Sequence, residues 1–329
     1  MIRLPDRLVA TFWNGVAGAL PRLAVLLAGF YVAQRFGADA FARYSLALST
    51  FALAGSLPGS TMSTVASKFV PEFSRGDPAR RGEGAAAIAL FTIVLATLVG
   101  AALALGAPAL AAMFGLDPPV DGLLRAAATA AAACVLAGGL VGLLVGSTRF
   151  ATAALAYAAG FALFAAGIVP ASDLFGIAGA LAALAILHLG AALVALIAAR
   201  RELALDAKVL RFVDRARPIG GFFVPTLIAA GLVAPVVWIA NVLISKGPEP
   251  LSNLSQFGAA YSWFAVLSFV PAVLAQVEFV RMSQAKARGD TATLGREMRR
   301  FMARIAFVML PLAAGGAALA GLLVGFFVV

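Results

Sequence analysis

The chain has 329 residues, of which 62% are hydrophobic and only 12% are charged, and its mean hydropathy is +0.99. Soluble proteins contain about 45–50% apolar and about 25% charged residues, so this composition excludes a water-soluble domain. One cysteine (Cys134) and one histidine (His188) exclude disulfide frameworks and zinc sites, and the net charge of +10 lies in short loops rather than on a nucleic-acid-binding face.

Nine apolar segments are long enough to cross a membrane as helices, which requires about 20 residues each. They are continuously apolar, whereas transmembrane strands alternate in polarity, so an all-α integral membrane protein is predicted. In chain order the predicted spans are 8–34, 44–67, 84–112, 126–148, 150–172, 174–199, 218–245, 250–277 and 305–329. The fourth span carries Gly138, Gly139, Gly142 and Gly146, which predict close approach to a neighbouring helix.

The basic residues orient these spans. Twenty of the 25 Lys and Arg residues fall in the N-terminal segment and in the segments that follow spans two, four, six and eight. Because short loops rich in Lys and Arg stay in the cytoplasm, the N-terminus is predicted to be cytoplasmic. With nine spans, the end of the last span is then expected on the outer side of the membrane.

Residues about 213 positions apart recur in the same order, which indicates an internal repeat. The triplet Arg75-Gly76-Asp77 returns as Arg288-Gly289-Asp290, and Pro58 and Pro271 each precede their triplet by 17 residues. Six spans per unit place both copies in the same orientation in the membrane, as in transporters built from parallel repeats.

The repeat divides the chain at the charged segment after the sixth span. It predicts an N-terminal lobe of six spans at 1–200, a cytoplasmic linker at 201–217 and a partial C-terminal lobe of three spans at 218–329. Because the second unit has three spans where the first has six, we expect a C-terminally truncated protein whose intact form has about 410 residues or more. A chain that naturally has nine spans is the alternative.

Three segments carry a resemblance to a known family. They are TVASKFVPEFSRGDPARRGEGAAAIALF at 64–91, PVVWIANVLIS at 235–245 and SWFAVLSFVPAVLAQVEFVRMSQAKARGD at 262–290. The chain resembles, over essentially its whole length, the oligosaccharide flippases of the multidrug/oligosaccharidyl-lipid/polysaccharide (MOP) exporter superfamily. The resemblance implies a MATE-like, two-lobed bundle of twelve or more helices, of which about nine are present here.

The same resemblance implies the function and the partners. It implies a flippase of the bacterial cytoplasmic (inner) membrane that moves polyprenyl-diphosphate-linked oligosaccharide outward by alternating access, for surface polysaccharide or O-antigen biosynthesis. The implied partners are the lipid-linked oligosaccharide, membrane lipids and other polysaccharide assembly proteins, with no nucleic acid among them.

Arg22 is a charged residue in the middle of the first predicted span. A charge at mid-bilayer costs about 2.5–3.5 kcal/mol on insertion scales, so such a residue usually faces a cavity and marks a pathway. Its planar guanidinium suits a diphosphate, and we therefore expect Arg22 to bind the lipid diphosphate. Hydrogen bonding between helices or snorkelling to an interface is the alternative. Pro21 and Pro235 are predicted hinges, because proline removes a backbone donor.

Other polar and aromatic side chains in the spans are candidates for the same cavity, and helix packing is the alternative role for each. They are Asn14, Tyr44, Asn241, Gln256, Tyr261 and Trp263. At the cytoplasmic helix ends, the spacing predicts the ion pairs Lys68–Glu72 and Glu278–Arg281, with gating contacts between lobes as the alternative. His188 has no acidic neighbour on its helix face and is expected to pack rather than to relay protons.

The sequence contains no nucleophile-and-base pair, phosphate-binding glycine loop or metal cluster, so no enzyme activity, cofactor or metal is expected. A multidrug or cation exporter of the same superfamily is the nearest alternative function. Such a carrier should place Asp or Glu inside a span, and the nine predicted spans contain neither. A membrane glycosyltransferase or polymerase is a further alternative, but it would need catalytic carboxylates or a large outer loop, and the predicted outer loops are short.

Overall fold

A computed structural model describes residues 6–73, 78–200, 212–267 and 291–318, together with positions 321 and 325. Within these ranges every regular element is helical and no strand occurs, which confirms the predicted all-α class. The helices are α1 Asp6–Phe36, α2 Ala38–Phe51, a π-helical segment Ala52–Ser56, α3 Leu57–Phe73, α4 Pro78–Phe114, α5 Asp121–Gly146, α6 Phe150–Phe175, α7 Ile177–Ala199, α8 Phe212–Ala230, α9 Val233–Ser245, α10 Pro250–Leu267 and α11 Thr291–Ala318.

Most predicted spans coincide with these helices. In the described ranges, six helices are long and apolar enough to cross a membrane, and the bent pair α8 and α9 would make a seventh span. The second predicted span corresponds to α2, the π-helical segment and α3, which follow one another without interruption. The eighth predicted span begins with α10 and continues into residues outside the described ranges. The repeat landmarks Pro271 and Arg288 also lie outside those ranges.

Consecutive spans run in opposite directions, so the bundle has two ends. We call the end at which α3, α5 and α7 terminate and α4, α6 and α8 begin the linker face. The opposite end, with the connections 36–38, 114–121, 175–177 and 245–250, is the hairpin face.

The first six spans pack around α5. This helix contacts α3, α4 and α7 and is the most deeply buried span of the described part, while α6 packs between α1 and α7. The outer sides of α4 and α6 expose large apolar residues such as Leu105 and Leu174. Such exposed apolar surface is expected of helices that face lipid.

A seam of small residues brings α5 against the chain that runs from the π-helical segment into α3. Gly138 lies directly against Gly59: a Cβ atom built on Gly138 would be 2.1 Å from the Gly59 carbonyl oxygen. One turn further, a Cβ atom on Gly142 would be 2.8 Å from Cα of Ser63. Helix association in lipid depends on van der Waals packing, which small residues permit at close range. The predicted close approach at the glycines of the fourth span is thus present, and α3 is the neighbour.

The helices α8, α9 and α10 pack on the first six spans at both faces. Near the linker face, α8 contacts α3 and α4. Towards the hairpin face, α9 contacts α2 and the π-helical segment, and α10 contacts α2, α9 and α1. In the apolar part of α11 no described residue is buried.

The seventh span is broken in its middle. The axes of α8 and α9 differ by 55°, and Gly231 and Leu232 lie between the two helices. Pro235 explains the position of the break, because it cannot donate a hydrogen bond to the Gly231 carbonyl four residues earlier and its ring crowds that carbonyl. Pro21, in contrast, lies inside α1, which continues as one helix.

Candidate functional site

Five polar side chains from five different elements meet inside the first six spans, and we call them the polar layer. They are Arg22 of α1, Ser56 of the π-helical segment, Cys134 of α5, Tyr157 of α6 and His188 of α7. All except Tyr157 lie near the middle of their spans. The layer therefore crosses the bundle at about half its depth.

Tyr157 is the centre of the polar layer. It interacts electrostatically with Arg22 and with Cys134, and the Cys134 thiol forms a side-chain hydrogen bond with Ser56. The ring of Tyr157 stands edge-on to His188, with ring centroids 6.4 Å apart and planes at 85°. The ring contact thus joins α6 to α7, and the hydrogen bond joins α5 to the π-helical segment.

Arg22 occupies the accessible edge of this layer. Its Nη1 atom donates a hydrogen bond of 2.8 Å to the carbonyl of Gly18, one turn earlier on α1, and the side chain is exposed. Surrounding protein nevertheless desolvates it in part. A guanidinium has five N–H donors in a planar fork, a geometry that matches the oxygens of a phosphate. Two other arginines are engaged at the hairpin face: Arg35 with Asp173 at 3.9 Å, and Arg43 with the carbonyls of Asp117 and Pro118.

The described spans have no carboxylate at the depth of Arg22. Each acidic residue in the described helices lies within two turns of a helix end; examples are Asp39, Glu83 and Asp173. Arg22 thus gives the middle of the first six spans a positive charge.

His188 is buried beside the polar layer, with 4% of its surface exposed. Its imidazole lies 6.0 Å from the Phe51 ring, centroid to centroid, and its Nδ1 atom has no hydrogen-bond partner among the described residues. The five residues on each side of His188 in the sequence are apolar or glycine. The structure therefore places this histidine in aromatic packing.

Two of the predicted cavity residues are enclosed by helix packing. Tyr44 on α2 is 0% exposed and stacks near Phe41, with ring centroids 6.4 Å apart. Asn241 on α9 is 2% exposed, and its Nδ2 atom donates a 3.0 Å hydrogen bond to the Val237 carbonyl. The Tyr44 hydroxyl and the Asn241 Oδ1 atom have no hydrogen-bond partner within the described ranges.

The remaining predicted residues are more accessible. Asn14 lies two turns before Arg22 on α1 and is partly buried. On α10, Gln256 is exposed, Tyr261 stacks on Phe264 with centroids 6.0 Å apart, and Trp263 packs partly against the core of the first six spans.

Sequence reasoning missed Tyr157, Ser56 and Cys134 as members of the polar layer. Tyr157 is one of only four tyrosines in the chain, and a polar ring in an apolar span was an available signal for it. No comparable signal marks Ser56, because its position depends on the extra residue that the π-helical segment introduces.

A hydrogen bond between side chains connects α9 to α2 near the break in the seventh span. The Trp238 indole Nε1 atom donates to Thr50 Oγ1 at 3.1 Å, while Thr50 Oγ1 donates to the Leu46 carbonyl at 3.0 Å. The Trp238 ring also lies edge-on to Phe114 of α4, with centroids 5.9 Å apart.

We expect Thr50→Val to destabilise the protein by about 1 kcal/mol, because the half-buried indole N–H of Trp238 loses its acceptor. Thermal unfolding in detergent of Thr50→Val, Trp238→Phe and the double variant should reveal a coupling energy of about 0.6–1.7 kcal/mol. Thr97→Val is the matched control, since Thr97 bonds only to the Ile93 carbonyl of its own helix. Strictly additive effects of the two substitutions would contradict the contact.

At the linker face the Lys68 ammonium does not form the expected pair with Glu72. Its Nζ atom lies 3.8 Å from the centroid of the Phe222 ring on α8 and 5.0 Å from that of Phe69. The Lys68 ammonium lies over the Phe222 ring rather than beside the Glu72 carboxylate. Glu72, one turn away, is exposed and solvated, so an ion pair with it would contribute little. The second predicted pair, Glu278 and Arg281, lies outside the described residues.

The sequence matches no protein-family model and no curated protein. Solved structures do match. A multidrug resistance MATE family transporter of the MOP superfamily, in an inward-facing conformation, is 17% identical with a TM-score of 0.68, over 95% of this chain and 75% of that one. For the eukaryotic MATE transporter AtDTX14 the identity is 11% and the TM-score 0.73, over 96% of this chain and 73% of that one.

A third structure is a MOP superfamily transporter from Pyrococcus furiosus, in which reverse polarity of the binding pocket is said to suggest a different function. It is 17% identical with a TM-score of 0.62, over 98% of this chain and 73% of that one. The chain thus spans about three quarters of the length of each of these three transporters. Helix content, order of elements and these matches together show that the chain has a MATE-like fold.

Proposed function

We propose that this protein is a membrane transporter that moves a polyprenyl-diphosphate-linked oligosaccharide across the cytoplasmic membrane by alternating access. The observation that carries the proposal is the position of Arg22, an accessible guanidinium at half depth in a MATE-like fold. A charge in that position is costly unless it serves a cavity or a pathway. The proposal includes no catalytic step.

The chemistry of Arg22 favours an anionic cargo. A guanidinium presents parallel N–H donors that match phosphate oxygens and keeps its charge at any physiological pH. Partial desolvation at this depth strengthens its attraction to an anion relative to water. Because the carboxylates of the described spans lie near helix ends, none of them cancels this charge at the same depth.

Export of drugs or other cations is the second candidate function, since MATE structures with this fold are named as multidrug transporters. A cation would meet Arg22 at half depth without a compensating carboxylate in the described spans, which disfavours this candidate. One structure with the same fold is described as having a binding pocket of reverse polarity. The fold is therefore compatible with cargo of either charge, and the charge of the binding site determines which cargo is bound.

The proposed movement is a rocking of the lobe 1–200 against the lobe that begins at 218, with the linker face in the cytoplasm. The excess of Lys and Arg at that face supports the orientation. The break before Pro235 supports a hinge in the seventh span, and Pro21 is the proposed counterpart in α1. The more accessible residues on α1 and α10, among them Asn14, Gln256 and Trp263, are proposed to contact sugar hydroxyls.

A flipping assay tests the proposal. The protein is reconstituted in vesicles that carry a fluorescent polyprenyl-diphosphate oligosaccharide, and a membrane-impermeant reductant bleaches the label in the outer leaflet. We expect the protected half of the label to become accessible when protein is present, with a proton gradient or a membrane potential imposed in either direction. A neutral polyprenol of the same length and a cationic dye serve as comparisons. Movement of the dye without the diphosphate cargo would favour the multidrug function, and movement of neither would reject both.

A further inference from the structure

The contact between α3 and α8 at the linker face includes a cluster of one ammonium and three aromatic rings. Lys68 lies over the Phe222 ring, and the Phe69 ring stands edge-on to Phe222, with centroids 5.8 Å apart and planes at 85°. Phe73 stacks on Phe69 with centroids 5.5 Å apart. The adjacent Phe223 meets Phe91 of α4 at 5.9 Å, so both faces of this turn of α8 are engaged.

Within the described ranges the Lys68 ammonium has aromatic faces as partners and no carboxylate. Glu72 lies one turn along α3 but forms no ion pair with Lys68. An ammonium over a ring gains only about 0.5–2 kcal/mol, whereas hydrogen bonds from an ammonium to phosphate oxygens are charge-assisted and stronger. Lys68 is exposed, so an anion in solution can reach it. An anion that arrives at the linker face can therefore take the ammonium from the ring.

The connections of α8 to its neighbours allow its linker-face end to separate from α3. The break at Gly231 and Leu232 separates α8 from α9, and α9 is held to α2 by the bond between Trp238 and Thr50. The end of α8 at the linker face can consequently leave α3 without disturbing α9. Ile219 and Phe223 would then lose their cover, since they are 0% and 6% exposed against the first six spans.

We propose that the Lys68–Phe222 contact is a latch that holds α8 against α3, and that the anionic headgroup of the cargo opens it by taking the ammonium from the ring. The release step rests on the proposed function, because it requires a phosphate-bearing cargo. The latch itself rests only on the contacts of Lys68 and Phe222.

The latch is tested by the accessibility of Ile219. Ile219→Cys is labelled with a water-soluble maleimide in nanodiscs, and the background of the unsubstituted chain, which has only Cys134, is subtracted. We expect Lys68→Met and Phe222→Leu to raise the labelling rate of Ile219→Cys about three- to tenfold, because the closed state loses its cation–π contact. Lys68→Arg, which keeps a cation over the ring, should stay near the wild-type rate.

Gly221→Cys on the same turn of α8 is the matched control, because position 221 is exposed while the latch is closed. Its labelling should not respond to the Lys68 and Phe222 variants, and an unchanged rate there also shows that these variants remain folded. Equal labelling of Ile219→Cys in the wild type, Lys68→Met and Phe222→Leu would overturn the latch.

The release step is tested with farnesyl diphosphate and with farnesol as the neutral comparison. Farnesyl diphosphate should raise labelling of Ile219→Cys in the wild-type background and have no further effect with Lys68→Met, whereas farnesol should have no effect in either. Equal responses to the two compounds would overturn release by an anion. Failure of the proposed function is recognised separately: Lys68→Met would still open the linker face, but the flipping assay would show no movement of the diphosphate cargo.

Discussion

Arg22→Ala is expected to lower the flipping rate of the diphosphate-linked cargo by at least about 100-fold while leaving folded protein in the membrane. Each hydrogen bond to a charged group contributes about 1.5–3 kcal/mol, and a phosphate loses two such bonds together with its counter-charge. Removal of a charge from mid-bilayer does not penalise insertion. The measurement is the initial rate of label accessibility in vesicles that contain equal amounts of monodisperse protein.

Two further variants serve as comparisons for Arg22→Ala. Arg22→Lys keeps the charge but loses the planar fork, so we expect an intermediate rate, about tenfold below the wild type. Arg125→Ala removes an arginine from the hairpin face, where Arg125 pairs with Asp121 at 3.7 Å, and should leave the rate unchanged. Wild-type flipping by Arg22→Ala would remove Arg22 from the mechanism and with it the main support for an anionic cargo.

Gly138→Ala is expected to destabilise the protein by about 3 kcal/mol, the upper range for overpacking a tight core. The new methyl group would lie 2.1 Å from the Gly59 carbonyl oxygen and 2.6 Å from its carbon. These are backbone atoms, so the two helices must move apart along the whole seam of small residues. The measurement is the temperature at which detergent-solubilised protein ceases to elute as a single species.

Gly106→Ala on α4 is the matched control. Gly106 also lies within a transmembrane helix, but a Cβ atom there would meet nothing within 4 Å. In open space the exchange of glycine for alanine in a helix stabilises by about 0.5–1 kcal/mol, so the two variants should shift the unfolding temperature in opposite directions. An unfolding temperature that Gly138→Ala leaves unchanged or raises would show that the seam is not tightly packed.

The helices were predictable where the bilayer alone determines them. The predicted span 150–172 corresponds to α6 Phe150–Phe175, and 174–199 corresponds to α7 Ile177–Ala199. Hydropathy marks residues that face oil rather than residues that are helical, so it placed the start of the third span at 84 although α4 begins at Pro78. Irregularities inside an apolar segment leave its composition unchanged, which is why the π-helical segment was not predicted.

The sequence identified residues of the candidate site only where the residue itself is energetically unfavourable in a membrane helix. Arg22 was identified by the cost of a charge in lipid, and Pro235 by its missing N–H group. Tyr157 and Ser56 lie in the same polar layer as Arg22 because of the rotation of helices about their axes, which packing decides. For Lys68, helical spacing favoured Glu72, but a ring from a helix far along the chain provided the stronger contact.

The π-helical segment Ala52–Ser56 has a genetic consequence. Such a segment holds one residue more than a regular helix of the same course, and each residue of an α-helix turns the chain by about 100°. Loss of a single codon within the segment would therefore restore an ordinary helix and leave the later side chains of α3 facing as they do, with Gly59 still against Gly138. Loss of one codon from the regular part of α2 would instead rotate the helix that follows by about 100°, so the π-helical segment is the place where this span should tolerate an in-frame deletion of one residue.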